Sequence, residues 1–167
     1  MLPYIWTNFN IMKIEIGQSA PEFALFNTEK NKVSLSDYKG KNVVLLFFPL
    51  AFSGVCTKEL CSMRDDMAKY HGMNAAILGV SIDSLFTLGR FKQENLLEFD
   101  LLSDFNKEVS AMYACLYESF AFEMRGVSKR SAFVIDADGI IRYAEVLESA
   151  GDLPNFEAID ECLKGLN

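Results

Sequence analysis

Residues Val43 to Phe48 read Val-Val-Leu-Leu-Phe-Phe, an apolar run without a break. A strand sends successive side chains to opposite faces, so such a run needs apolar cover on both. It therefore reads as a buried strand at the centre of a layered domain. A helix is predicted to follow from about Gly54 to His71, with Leu60, Met63, Met67 and Tyr70 at helical spacing on one face. A buried strand running straight into an amphipathic helix restricts the chain to α/β architecture. The junction lies at the carboxyl end of the strand, where open α/β sheets place their chemistry.

The remaining patterns extend this reading. Residues 23–27 and 33–35 are expected as short strands around a turn from Asn27 to Lys32. Residues 75–81 are a second buried strand, 84–95 a helix, 101–103 a short strand and 106–115 another helix. Arg130 to Ile135 and Ile140 to Val146 are expected as a hairpin around a tight turn from Asp136 to Gly139. Pro154 to Leu166 is expected as a closing amphipathic helix with Pro154 in its first turn. The expected fold is a central mixed β-sheet flanked by helices on both faces.

With 167 residues, half of them apolar, the chain suits one domain with a sizeable core. Residues 1–16 read as an N-terminal arm and 17–167 as the single domain. The arm holds the only tryptophan, Trp6, and lacks the basic start and cleavage site of a signal peptide; Met12 is an alternative start. The net charge is −7 with no Lys/Arg-rich run, which argues against nucleic acid or an anionic membrane surface as partner. The longest apolar stretch, Val43 to Phe52, is about ten residues, contains Pro49, and is too short to span a bilayer. Four cysteines without an export signal suggest a reducing, cytoplasmic setting in which any disulfide is catalytic or transient. His71 is the only histidine, so a His-rich metal site is excluded, and no cofactor is expected.

Cys56 stands out because it lies within the first turn of the predicted helix. Unpaired backbone N–H groups and the positive end of the helix dipole favour a thiolate there. Ser53 lies three residues before it and Cys61 five after, a candidate proton partner and a candidate disulfide partner.

From Gly17 onward the chain resembles the peroxiredoxins, thiol peroxidases of thioredoxin-like fold. Gly17-Gln18-Ser19-Ala20-Pro21-Glu22-Phe23 is similar to the family's opening segment, and Val33 to Lys41 to its next. Pro49-x-x-x-Ser53-x-x-Cys56 resembles the active-site motif, with Ser53 where the family usually has threonine. Leu101 to Asp104 and Arg130 to Asp136 resemble two downstream signatures. The spacing Cys56-Thr57-Lys58-Glu59-Leu60-Cys61 resembles the bacterioferritin-comigratory-protein branch. Elements of the peroxide-sensitive branch are missing, so the resemblance implies comparative resistance to overoxidation.

The resemblance implies the following roles. Cys56 attacks hydroperoxide and becomes a sulfenic acid. Ser53 orients the peroxide oxygens, and its missing methyl frees one rotamer. Pro49 walls the pocket, Arg130 supplies charge and hydrogen bonds, and Glu59 anchors Arg130. Cys61 resolves the sulfenic acid as a disulfide, recycled by a thioredoxin- or glutaredoxin-like reductant. Five helical residues give ~7.5 Å of rise and ~140° of rotation. A disulfide needs Cα atoms within roughly 4.4–6.8 Å, so the helix start must unwind first.

Other readings stay open at this point. Without Cys61 as resolver, the protein is a one-cysteine peroxidase using an external thiol. A peroxide sensor or holdase, in which oxidation exposes a surface, is a further alternative. A thioredoxin-like disulfide reductase is disfavoured by the lack of a Cys-x-x-Cys pair. Cys115 reads as a core thiol and Cys162 as half-buried and inert. Tyr113, Tyr117, Phe120 and Phe122 read as core or as a dimer face, leaving monomer or homodimer. His71 is placed about four turns from the sulfur, too far to act as base.

Overall fold

The structure, a computed structural model, describes residues 14–166. The expectations for Trp6 and Met12 lie outside the described residues. Seven strands form one mixed sheet. In chain order they are β1 (Ala24–Asn27), β2 (Lys32–Ser34), β3 (Asn42–Phe47), β4 (Ala75–Ser81), β5 (Asp100–Ser103), β6 (Ser131–Ile135) and β7 (Ile141–Val146). Across the sheet the order is β2-β1-β5-β4-β3-β6-β7. Strand β3 pairs in parallel with β4, from Asn42 opposite Ala75 to Phe47 opposite Val80. On its other side it pairs antiparallel with β6, from Val43 opposite Ile135 to Phe47 opposite Ser131.

The helices are α1 (Gly54–Asp65), α2 (Met67–Gly72), α3 (Leu85–Glu94), α4 (Glu108–Met112) and α5 (Phe156–Lys164). Val44, Leu46 and Phe48 face a core closed by Leu60 and Met63 of α1, Tyr70 of α2, Phe91 of α3 and Ile159 of α5. Val43, Leu45 and Phe47 face a second core with Val109 of α4, Tyr113 and Phe23. This two-sided cover is what the unbroken apolar run requires. Burying each of these large side chains is worth ~1.5–3 kcal/mol.

Three expectations need correction. The helix expected from Gly54 to His71 is two helices, broken at Asp66, whose φ of −100° and ψ of 9° end α1. The break lets Lys69 of α2 reach both Asp66, at 2.7 Å, and Asp160 of α5, at 2.8 Å. His71 therefore belongs to α2 and not to the helix that carries Cys56. The helix expected at 106–115 spans only Glu108–Met112. The Asp104 carboxylate accepts the backbone N–H of Val109 at 3.1 Å and of Ser110 at 2.7 Å, which sets where it starts. Pro154 lies before α5, whose cap is Asn155, accepting the Ala158 N–H at 3.0 Å. Tyr113 is core, whereas Phe122 stands exposed.

Candidate active site

The antiparallel register of β3 and β6 decides where the chemistry meets. Phe47, at the end of β3, lies opposite Ser131, at the start of β6. Arg130, one residue earlier, is thereby held at the sheet end from which the chain leaves β3 for α1. Two backbone bonds fix this approach: Lys129 N–H donates to Cys115 O at 2.7 Å, and Leu147 N–H to Arg130 O at 2.9 Å.

Helix α1 brings the remaining groups. Its buried stripe is Cys56, Glu59, Leu60 and Met63, the helical pattern of one face. Cys56 and Glu59, three residues apart, thus point the same way and meet Arg130. The Arg130 guanidinium donates from Nη2 to Cys56 Sγ at 3.3 Å and to Ala150 O at 3.0 Å, and from Nη1 to Glu59 Oε2. Cys56 and Glu59 are 0% exposed and Arg130 is 1% exposed. Such a site is electrostatically strong because water does not screen it.

Burial pushes the Glu59 carboxyl up to about 7, and the positive Arg130 beside it works in the opposite direction. Burial pulls the guanidinium down, but the charges of Glu59 and Cys56 and their hydrogen bonds outweigh it, and the net shift is upward. Arg130 stays a cation next to the sulfur. Among the described residues Glu59 Oε1 and Arg130 Nε have no hydrogen-bond partner.

Over this triad lies a pocket of about 290 Å³, lined by Pro49, Leu50, Ser53, Gly54, Val55, Phe120, Arg130, Ala150 and Gly151. Ser53 occupies the cap position of α1, yet its side chain caps no N–H. Its hydroxyl instead donates to Leu50 O at 2.9 Å. The first helical bond is Thr57 N–H to Ser53 O at 3.0 Å, so the N–H groups of the first turn are free of helical partners. The pocket floor therefore offers backbone donors and a guanidinium, and the Ser53 oxygen keeps lone pairs that can accept.

The loop from Pro49 to Ser53 is strained: Phe52 adopts φ of +64°, a left-handed conformation that costs a non-glycine residue ~1–3 kcal/mol. Two contacts hold it. The Asp83 carboxylate accepts the Ala51 N–H at 2.7 Å and the Ser81 hydroxyl at 2.6 Å. The Phe52 ring packs edge-on to Phe91 with centroids 5.2 Å apart.

The geometry thus brings together Cys56, Arg130 and Glu59, with Pro49 and Ser53 in the pocket wall. The Ser53 hydroxyl is spent on Leu50, so it is no proton partner for the sulfur. Cys61 does not join the cluster. It sits half-buried on the same helix, its thiol directed at Asn95 Oδ1 at 3.7 Å. All four cysteines are free thiols. Cys115 is sealed in the core, where burial pushes its thiol up. Burial also raises the half-buried Cys162. Sequence reasoning missed Asp83, Asn95 and the Ala150 carbonyl. The sequence does signal Asp83, a carboxylate just past the carboxyl end of the strand adjoining β3. For a backbone carbonyl there is no such signal.

The sequence pattern of the AhpC/TSA family matches residues 16–144. The chain is a peroxiredoxin of the AhpC/TSA family. It is 37% identical over 164 residues to bovine (Bos taurus) Peroxiredoxin-2, covering 92% of this chain and 78% of that one. To Peroxiredoxin Bcp of Bacillus subtilis it is 40% identical over 130 residues, covering 77% of this chain and 82% of the relative. Its fold superposes on the crystal structure of peroxidoxin BcpB from Mycobacterium tuberculosis with a TM-score of 0.81 at 25% identity, covering 92% and 99% of the two chains. Within the peroxiredoxin fold, strand β3 and helix α1 carry the candidate nucleophile. Among the described residues no helix is long and apolar enough to cross a membrane.

Proposed function

We propose that this peroxiredoxin reduces hydrogen peroxide and small organic hydroperoxides through Cys56. The observation that carries the reading is the 3.3 Å contact from the Arg130 guanidinium to Cys56 Sγ, buried beneath a pocket. The thiolate attacks one peroxide oxygen, the O–O bond breaks, and the departing hydroxide or alkoxide leaves with a proton as water or alcohol. Arg130 and the free N–H groups at the start of α1 stabilise the negative charge as it moves from sulfur to oxygen. The Ser53 oxygen accepts the peroxide O–H and aligns it. Pro49 offers no N–H and keeps that wall dry. Most of the acceleration comes from positioning and preorganised charge.

The product is Cys56 sulfenic acid, and Cys61 resolves it as a Cys56–Cys61 disulfide. Both cysteines lie within the unbroken helix Gly54–Asp65, so this bond requires α1 to unwind locally. The opened segment exposes the disulfide to a thioredoxin-type reductant. Four free thiols fit work in a reducing compartment, the cytoplasm.

One equivalent of hydrogen peroxide on the reduced protein, followed by intact and peptide masses, tests the whole sequence. Loss of two hydrogens mapped to a Cys56–Cys61 link is the expected result. One added oxygen retained on Cys56 means a one-cysteine enzyme. No change at Cys56 removes the peroxidase assignment of this residue.

A further inference from the structure

Helix α3 ends against the middle of α1, and its capping residue Asn95 makes two bonds to that helix. Its side-chain oxygen accepts from the Cys61 thiol at 3.7 Å. Its side-chain amide donates to Phe91 O at 2.9 Å, which fixes the amide's orientation. Its backbone carbonyl accepts from Arg64 Nη1 at 2.6 Å. Cys61 and Arg64 are three residues apart and share one face of α1, so both grip the same residue of α3. Helix α3 is itself held firmly, with Leu88 and Phe91 fully buried in the core. Its Phe91 ring also supports Phe52 in the loop before α1.

We propose that Asn95 is a positioning residue for the resolving step, a clasp that holds α1 helical and Cys61 turned away from Cys56. The inference rests on the reading that Cys61 resolves Cys56. In the resolving step the Cys61 sulfur attacks the sulfenic sulfur. The S–S bond forms, the S–O bond breaks, and the thiol proton leaves with the hydroxide as water. In the competing step a second hydroperoxide transfers one oxygen to the sulfenic sulfur, giving sulfinic acid and water or alcohol. The first step requires Cys61 to leave Asn95 and α1 to unwind, and the second requires neither. The strength of the clasp therefore sets the partition of the sulfenic acid between disulfide and sulfinic acid. A tight clasp keeps the pocket assembled for peroxide attack and delays resolution. A loose one speeds resolution and protects Cys56 from further oxidation.

Rapid mixing of the reduced protein with excess hydrogen peroxide, acid quench and intact mass give both rates. Asn95→Ala removes the thiol acceptor and should form the disulfide roughly fivefold faster, the effect of losing one net hydrogen bond. Its sulfinic fraction at a given peroxide concentration should fall by about the same factor. Asn95→Asp keeps an acceptor for the thiol but loses the donor to Phe91 O that orients it, and should fall between wild type and Asn95→Ala. Arg64→Met releases the other half of the clasp and should move in the direction of Asn95→Ala. Amide exchange in residues 60–65 of the reduced variants should quicken by a similar factor, while exchange in β4 stays put. Unchanged disulfide rates and partition in both Asn95→Ala and Arg64→Met, with the Cys56–Cys61 link still forming, would overturn the clasp alone. A wild-type protein that forms no such link would remove the resolving role of Cys61 and the clasp with it.

Discussion

Removing the guanidinium by Arg130→Met should make stability pH-dependent in a defined way. Glu59 is 0% exposed and its nearest countercharge is Arg130. In the folded protein its carboxyl is raised from an ordinary 4.5 to about 7 by burial, with Arg130 limiting the rise. A raised carboxyl contributes its stability fully below the unfolded value, and the contribution is lost as pH rises through the folded value. In wild type that loss runs from about pH 4.5 to about pH 7 and then stops, because the ion pair forms. Without Arg130 nothing favours the carboxylate, and Glu59 stays protonated in the fold well above pH 7. The unfolded chain has released this proton, so each further pH unit costs the variant ~1.4 kcal/mol relative to wild type. Between pH 7 and pH 9 the gap should widen by ~2.7 kcal/mol. Below pH 6 Glu59 is largely neutral in both proteins. There the variant loses the bonds to Cys56, Ala150 and the neutral Glu59 carboxyl but also sheds an uncompensated buried cation, and the two effects oppose each other, so the gap should be small. Urea unfolding at each pH reads this directly from the midpoint at constant m. Both proteins carry Cys56→Ser, so that oxidation of the site does not enter the comparison. Curves for the two proteins that run parallel from pH 6 to pH 9 would refute the view that Arg130 holds Glu59 ionised.

Three further outcomes follow from the same contacts. Arg130→Lys keeps a charge but lacks the fork that spans Cys56, Glu59 and Ala150, so kcat/KM for peroxide should fall ~10²–10³-fold in a coupled peroxidase assay. Asp83→Ala leaves the Ala51 N–H without its carboxylate and releases the strained Phe52. It should raise KM severalfold in steady-state kinetics, and Asp83→Asn, which retains an acceptor oxygen, should recover most of the loss. A Cβ at Gly79 would lie 2.7 Å from Leu101 Cδ2 and 3.4 Å from Phe48 Cε1, so Gly79→Ala should cost ~1–3 kcal/mol in urea denaturation by overpacking β4 against Leu101 of β5.

Much of this protein is legible in its sequence because its strongest signals are local. The six-residue apolar run could only be a strand covered on both faces, and the helical spacing of Leu60 and Met63 marked the buried side of the helix that follows. Between them they set the β3–α1 junction, and with it the candidate nucleophile at a helix start. The hairpin after Arg130 and the strand at 75–81 were equally readable from turn residues and β-branched runs. Tertiary structure decided what no local pattern carries. Asp66 ends α1 where Lys69 must reach α5, and Asp104 shortens α4 by capping it from the preceding loop. The antiparallel register of β6 on β3 set Arg130 beside a sulfur 74 residues earlier in the chain. Burial then turned Glu59 from an ordinary helix glutamate into the countercharge of the site. Ser53 lines the pocket, but its hydroxyl donates to the Leu50 carbonyl instead of capping α1, a pairing that the loop conformation sets. The grip of Asn95 on Cys61 and Arg64 exists only because α3 packs across α1. Sequence can announce reactive side chains one at a time, whereas the distances and burial that make them act together belong to the fold.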